Sequence, residues 1–187
     1  MTLLPFVEWL ASTRGSIALH ESLYMYPLIE SLHVLTLMLF AGTTALLDFR
    51  LLGLGLRKVP LSDITAKLLP WMFTGFAIMV TSGALLFYAI PVRSYQNVFF
   101  RAKVILLLLA GLNAWLFHAG IYRSVERWNH DEVLPRRARM AGLLSLVLWA
   151  LIITSGRMIA YNWFDCDVTT KPTILWLAGC TERNSHP

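Results

Sequence analysis

The chain has 187 residues, enough for one domain, of which 57% are hydrophobic and only 14% charged, with a mean hydropathy of +0.60. A soluble domain carries about 25% charged residues, so these side chains cannot cover a water-facing surface and a water-soluble globular domain is excluded. In so apolar a chain the formal charge of +5 points to basic membrane loops rather than to nucleic acid.

In chain order, the first charge is Glu8, with no basic n-region and no small-x-small site after a long apolar stretch, so the start does not read as a cleaved signal peptide. Within residues 1–21, Pro5, Phe6, Val7, Trp9 and Leu10 stand beside Glu8, Ser12 and Arg14, which predicts a short helix lying in the outer interface. Four stretches then have the roughly 20 apolar residues that a helix needs to cross a bilayer core of about 30 Å. The first span is 22–47, interrupted only by Glu30 and His33. The second, 68–92, holds no charge. The third, 103–122, lies between Lys103 and Arg123 and contains His118. The fourth, 140–164, is broken only by Arg157.

Punctuation supports these limits. Ser62 and Asp63 give an N-cap signal for the second helix, Pro70 predicts a kink inside it and Pro91 stops it. Asn97 can cap the third helix, and Pro135 suits the opening turn of the fourth. Trp71, Trp128 and Trp163 fall near predicted ends, where an amphipathic ring prefers to sit. In the tail, 165–187, the apolar run from Pro172 to Cys180 is too short to cross and is expected against the outer leaflet or the bundle. The expected fold is therefore all-α: one transmembrane domain, a membrane four-helix bundle with a short N-terminal interfacial helix and a short outer C-terminal segment.

Loop charge sets the orientation. Arg50, Arg57, Lys58 and Lys67 lie between spans one and two, and Arg123, Arg127, Arg136, Arg137 and Arg139 between spans three and four. The opposite loop offers Arg93, Arg101 and Lys103. The positive-inside rule puts the richer loops in the cytoplasm and both termini on the outer, periplasmic side. Cys166 and Cys180 would then share an oxidising compartment, where they either pair or remain two free thiols.

Ionisable groups inside a membrane are costly and mark partners, cavities or cofactors. Here they are Glu30, His33, His118 and Arg157, with His20 and Tyr161 near the outer boundary. Glu30 and His33 share a helix face, and antiparallel threading puts Glu30 and Arg157 at similar depth, so they can form an ion pair that either locks two helices or meets an anionic group. His33 and His118 on different helices are the usual means of holding a b-type haem in a four-helix bundle. Small residues such as Gly42, Gly111 and Ala114 leave room for a porphyrin or serve close helix packing. Counting about 1.5 Å per residue, the two histidines differ in height by roughly 10 Å, which requires tilted helices or shifted boundaries. The alternative ligand pair is His20 with Met158. Seven methionines with histidines also admit copper, although no MxxM cluster is present. His130 and His186 read as loop and tail residues. No CxxC, CxxCH, HExxH, nucleophilic triad or Gly-rich phosphate loop occurs.

The run from Tyr26 to Lys58, with Trp9-Leu10 upstream and Ser155 to Trp163 downstream, resembles a family of small, uncharacterised bacterial inner-membrane proteins with four predicted spans. Its most specific elements are Glu30-x-x-His33, Asp48-x-Arg50-Leu51-Leu52-Gly53 and Gly156-Arg157. In layout the chain is more loosely similar to four-helix membrane cytochromes b and to the membrane domain of copper-resistance proteins. Diheme cytochromes of that kind need four axial ligands, whereas only two histidines lie securely within spans here. The resemblance implies a multi-pass protein of the bacterial inner membrane and allows a haem. The leading expectation is a haem-b electron carrier between quinol and a redox protein at the outer face. The alternative is a non-redox membrane protein (a small transporter, a metal-handling protein or an anchoring subunit) with a Glu/His/Arg network.

Overall fold

The structure is a computed structural model and describes residues 3–131, 133–161, 166, 171–178 and 180. It is an all-α membrane fold, with no strand among the described residues. Two short helices, α1 (Leu4–Ala11) and α2 (Arg14–Glu21), precede α3 (Met25–Leu52) and α4 (Leu61–Ala89). The five-residue α5 (Pro91–Tyr95) leads to α6 (Val98–Leu116), which widens into a π-helical turn at Phe117–Ile121 and tightens into a 3-10 turn at Tyr122–Arg127. Then come α7 (Arg136–Met158), a 3-10 turn at Ile159–Tyr161 and α8 (Pro172–Ala178). Four helical stretches of 28, 29, 30 and 26 residues are long and apolar enough to cross a membrane. At about 1.5 Å per residue each exceeds a 30 Å hydrocarbon core.

Each end has a local cause. Gly53, at φ 72°, closes α3 with a six-to-one bond from the Leu54 N–H to the Phe49 carbonyl, the left-handed termination that glycine makes without strain. At the start of α4 the cap comes from a distant loop. Asn129 accepts the Ser62 N–H at 2.9 Å through Oδ1 and donates through Nδ2 to the Ser62 hydroxyl at 2.8 Å. Pro70 lies inside α4, and Pro91 opens α5 directly after α4 ends. Asn97 caps α6, its Oδ1 accepting the N–H groups of Phe99 and Phe100 at 2.9 and 3.2 Å.

The chain falls into two compact units. The first comprises Met1–Leu32, Thr81–Ile105 and Ile152–Pro187. In it α1 buries Leu4 and Val7 and packs on α5. The Thr13 hydroxyl pairs with the Tyr88 hydroxyl at 2.8 Å, and the Ser16 hydroxyl donates to the Tyr88 carbonyl at 2.7 Å. At Gly15 a Cβ would stand 2.5 Å from the Tyr88 hydroxyl oxygen, so a larger residue must displace the end of that ring. Arg101 donates to the carbonyl of Leu177 at 2.7 Å and so caps the end of α8. Cys166 and Cys180 form a disulfide.

The second unit comprises His33–Val80 and Leu106–Leu151. Its core is Leu47, Leu51, Leu61, Ile64, Phe117, Trp128, Leu134 and Ala138. Trp128 is thus buried in the core and donates its indole N–H to the Ser124 hydroxyl, whereas Trp71 is exposed; Trp163 lies outside the described residues. Phe40 packs edge-on to Trp149. Asn113 on α6 donates to the Ala141 carbonyl of α7 at 3.1 Å, the kind of interhelical bond that replaces the hydrophobic drive missing in lipid.

Candidate functional site

His33 is half-buried on α3, and its Nδ1 lies 3.0 Å from the Met79 carbonyl oxygen of α4. A carbonyl can only accept, so Nδ1 carries the proton and a neutral ring keeps its lone pair on Nε2. His118 stands in the π-helical turn, a distortion often found at functional positions. Its Nδ1 donates to the Ala114 carbonyl of its own helix at 2.9 Å, and its ring lies against Phe117 and Tyr122. The ring is exposed, and Gly111, two turns back on the same face, has nothing within 4 Å of where a Cβ would stand. The two imidazoles therefore share one hydrogen-bonding arrangement: Nδ1–H on a backbone carbonyl, the orientation typical of metal-bound histidine. No contact joins them to each other.

Glu30, Arg157, His20 and Met158 lie in the first unit. Glu30 and Arg157 are both exposed, and among the described residues no ion pair joins them. Arg157 instead holds its guanidinium over the Tyr161 ring, 5.7 Å from the centroid. His20 is exposed on α2 and Met158 is half-buried at the end of α7, without a contact between them. His130 is an exposed loop residue, and His186 lies outside the described residues. No group of three or more His, Cys, Asp or Glu suited to a metal ion occurs among the described residues.

Sequence reasoning passed over the burial of three other residues. Asp48 and Arg50 read as charges beyond the end of a span, but α3 continues through them and both are buried, Arg50 completely. Arg50 donates from Nε to the Val59 carbonyl at 2.9 Å and from Nη2 to the Asp131 carbonyl at 3.0 Å, tying two loops to the helix end. Asp48 faces the Ser145 hydroxyl of α7, and Thr44 is buried one turn before it. The available signal was Gly53, whose place as a helix-terminating glycine extends α3 past both charges. The third is Lys103, which lies inside α6 with its amine 3.4 Å from where a Gly156 Cβ would stand; glycine leaves that space. A pocket of about 180 Å³ lined by Leu52, Gly53, Arg57, Val133, Leu134 and Arg139 is smaller than the roughly 300 Å³ at which small-molecule sites begin.

Chemically, the described groups offer oriented imidazoles on α3 and α6, an exposed acid and an exposed guanidinium in the first unit, and a buried set of oxygen donors on α3 and α7. No curated protein and no solved structure matches the chain. A family model does match, across residues 6–162, and its description is a family of unknown function, DUF6644. That match takes in all four candidate membrane spans, and the chain belongs to this family.

Proposed function

We propose that this integral membrane protein is a haem-b-binding electron carrier of a bacterial inner membrane, moving electrons from a quinol to a redox protein at the outer face. The observation that carries the reading is the shared state of His33 and His118, each donating Nδ1–H to a backbone carbonyl within an apolar helix. That bond fixes Nδ1 as the donor and holds the ring against rotation, the arrangement typical of an axial histidine. Two imidazoles are a donor set that haem iron takes, and a Cβ at Gly111, two turns before His118, would meet nothing within 4 Å. Haem would supply a one-electron iron couple. The chain's own part is to present two neutral imidazoles and to exclude water from them.

Purified protein from haem-replete cells is expected to show a Soret band and a dithionite-reduced α band of b type. His33→Ala and His118→Ala should each abolish or displace both bands. A colourless wild-type preparation ends this reading, and metal analysis of the same sample tests copper.

A second reading is favoured by Glu30 and Arg157, which are exposed and not committed to each other. In a small transporter, a metal-handling protein or an anchoring subunit they would meet a substrate or partner instead. The disulfide supports placing the C-terminal segment, and with it both termini, in an oxidising outer compartment. A C-terminal alkaline phosphatase fusion tests this, and an inactive fusion reverses the orientation.

A further inference from the structure

We propose that Thr44, Asp48 and Ser145 form a binding site for a small monovalent cation of sodium's class. Asp48 is 4% exposed and Thr44 9% exposed, in the part of α3 that belongs to the second unit. The Asp48 Oδ2 and Thr44 Oγ1 atoms are buried and have no hydrogen-bond partner. Four residues apart on one helix, the two side chains share a face with Cβ atoms about 5–6 Å apart. They are not bonded to each other, because each is without any partner. A proton on Oδ2 would satisfy the acid alone, whereas an ion between the two would be coordinated by both oxygens.

Charge favours the same occupant. Burial leaves a carboxyl either neutralised by a proton or beside a compensating positive charge. Arg50, two residues along, gives Nε and Nη2 to the Val59 and Asp131 carbonyls, while its Nη1 is buried without a hydrogen-bond partner. One carboxylate matches one positive charge, and hydroxyl and carboxylate oxygens are hard donors that suit an alkali ion better than a soft metal. Calcium would draw on more acidic ligands than the single acid here. The third donor comes from α7, where the Ser145 hydroxyl faces the Asp48 carboxyl. Gly142, one turn earlier, lets α7 approach until a Cβ would stand 3.3 Å from the Asp48 carbonyl oxygen. The site is independent of any haem.

The test uses the full chain in lipid nanodiscs, in sodium-free choline buffer, titrated with sodium chloride against matched choline chloride. The unfolding midpoint of the wild type should rise with sodium and saturate. Asp48→Asn should abolish the response, and Thr44→Val should weaken the apparent sodium affinity at least about tenfold. A wild type indifferent to sodium overturns the proposal, as does an undiminished response in Thr44→Val, which also decides the matter if Asp48→Asn does not fold. A protonated-carboxyl infrared band, present at neutral pH in saturating sodium and lost in Asp48→Asn, also overturns it by placing a proton where the ion belongs.

Discussion

Gly142 is the position where one added carbon should cost most. A Cβ there would lie 3.0 Å from the Leu51 Cβ, 3.3 Å from the Asp48 carbonyl oxygen and 3.4 Å from Leu51 Cδ1. Carbon pairs rest about 3.5–4.0 Å apart, so Gly142→Ala is short by roughly 0.5–1 Å against a carbon on a rigid helix. Overpacking of this kind costs about 1–3 kcal/mol. In water, about 1 kcal/mol of that would be offset by alanine's better helix propensity. In a bilayer the helices persist when they separate, because their backbone groups have no other partners, so the offset largely vanishes. The rest of the series is graded by space. Gly75→Ala meets the Phe40 Cβ and backbone nitrogen at 3.4 Å and should cost less, while Gly42→Ala and Gly111→Ala meet nothing within 4 Å. Those two should stay within about 0.5 kcal/mol of the wild type. Unfolding in mixed micelles by increasing dodecyl sulfate fraction, followed by circular dichroism and tryptophan fluorescence, gives the order. If Gly142→Ala is as stable as the wild type, or Gly111→Ala falls as far, the close approach of α3 and α7 is refuted.

Arg50→Lys keeps the charge but cannot reach both the Val59 and Asp131 carbonyls, so it should lose about 1.5–3 kcal/mol in the same assay. A neutral result would mean that the two loops hold without the guanidinium fork. Gly15→Ala should destabilise the wild type by pressing on the Tyr88 hydroxyl, and Tyr88→Phe should partly rescue it while itself costing about 1 kcal/mol for the lost bond to Thr13. Additive costs in that double-mutant cycle would refute the contact. Reducing the Cys166–Cys180 bond opens a loop with a sequence separation of 14. It should remove about 3 kcal/mol of constraint from that segment and expose it to protease, with helix content unchanged.

How far the sequence carried depended on which physical effect decided each feature. The existence and number of the membrane helices followed from long apolar runs, since no other backbone arrangement satisfies its polar groups in lipid. The Asn97 cap and the Pro91 stop were equally local and equally legible. The cap on α4 was not: Ser62 stands at its start, but the acceptor is Asn129, 67 residues away. Helix ends were drawn too short for a related reason. Reading a charge as a boundary ended the first span at Leu47, whereas α3 reaches Leu52 because its charges find carbonyl and hydroxyl neighbours inside the fold. Trp128 was read as an interfacial ring, but a hydrogen bond to Ser124 lets it enter the core.

The same correction bears on orientation. Arg50 and Lys103 were counted as loop charges on opposite sides of the membrane, yet both lie within helices, one fully buried and the other half-buried over Gly156. A charge held by the fold says less about which loop stays in the cytoplasm than one free in a short connection. Setting both aside leaves Arg57, Lys58, Lys67 and the five arginines from Arg123 to Arg139 against Arg93 and an Arg101 that is itself bonded to the Tyr95 and Leu177 carbonyls. The excess of basic residues on the two richer loops is therefore unchanged by setting these two aside. The two charges that α3 buries on one turn each need a local explanation. Arg50 finds it in two loop carbonyls, and Asp48, on the same turn of α3, finds it in the proposed cation.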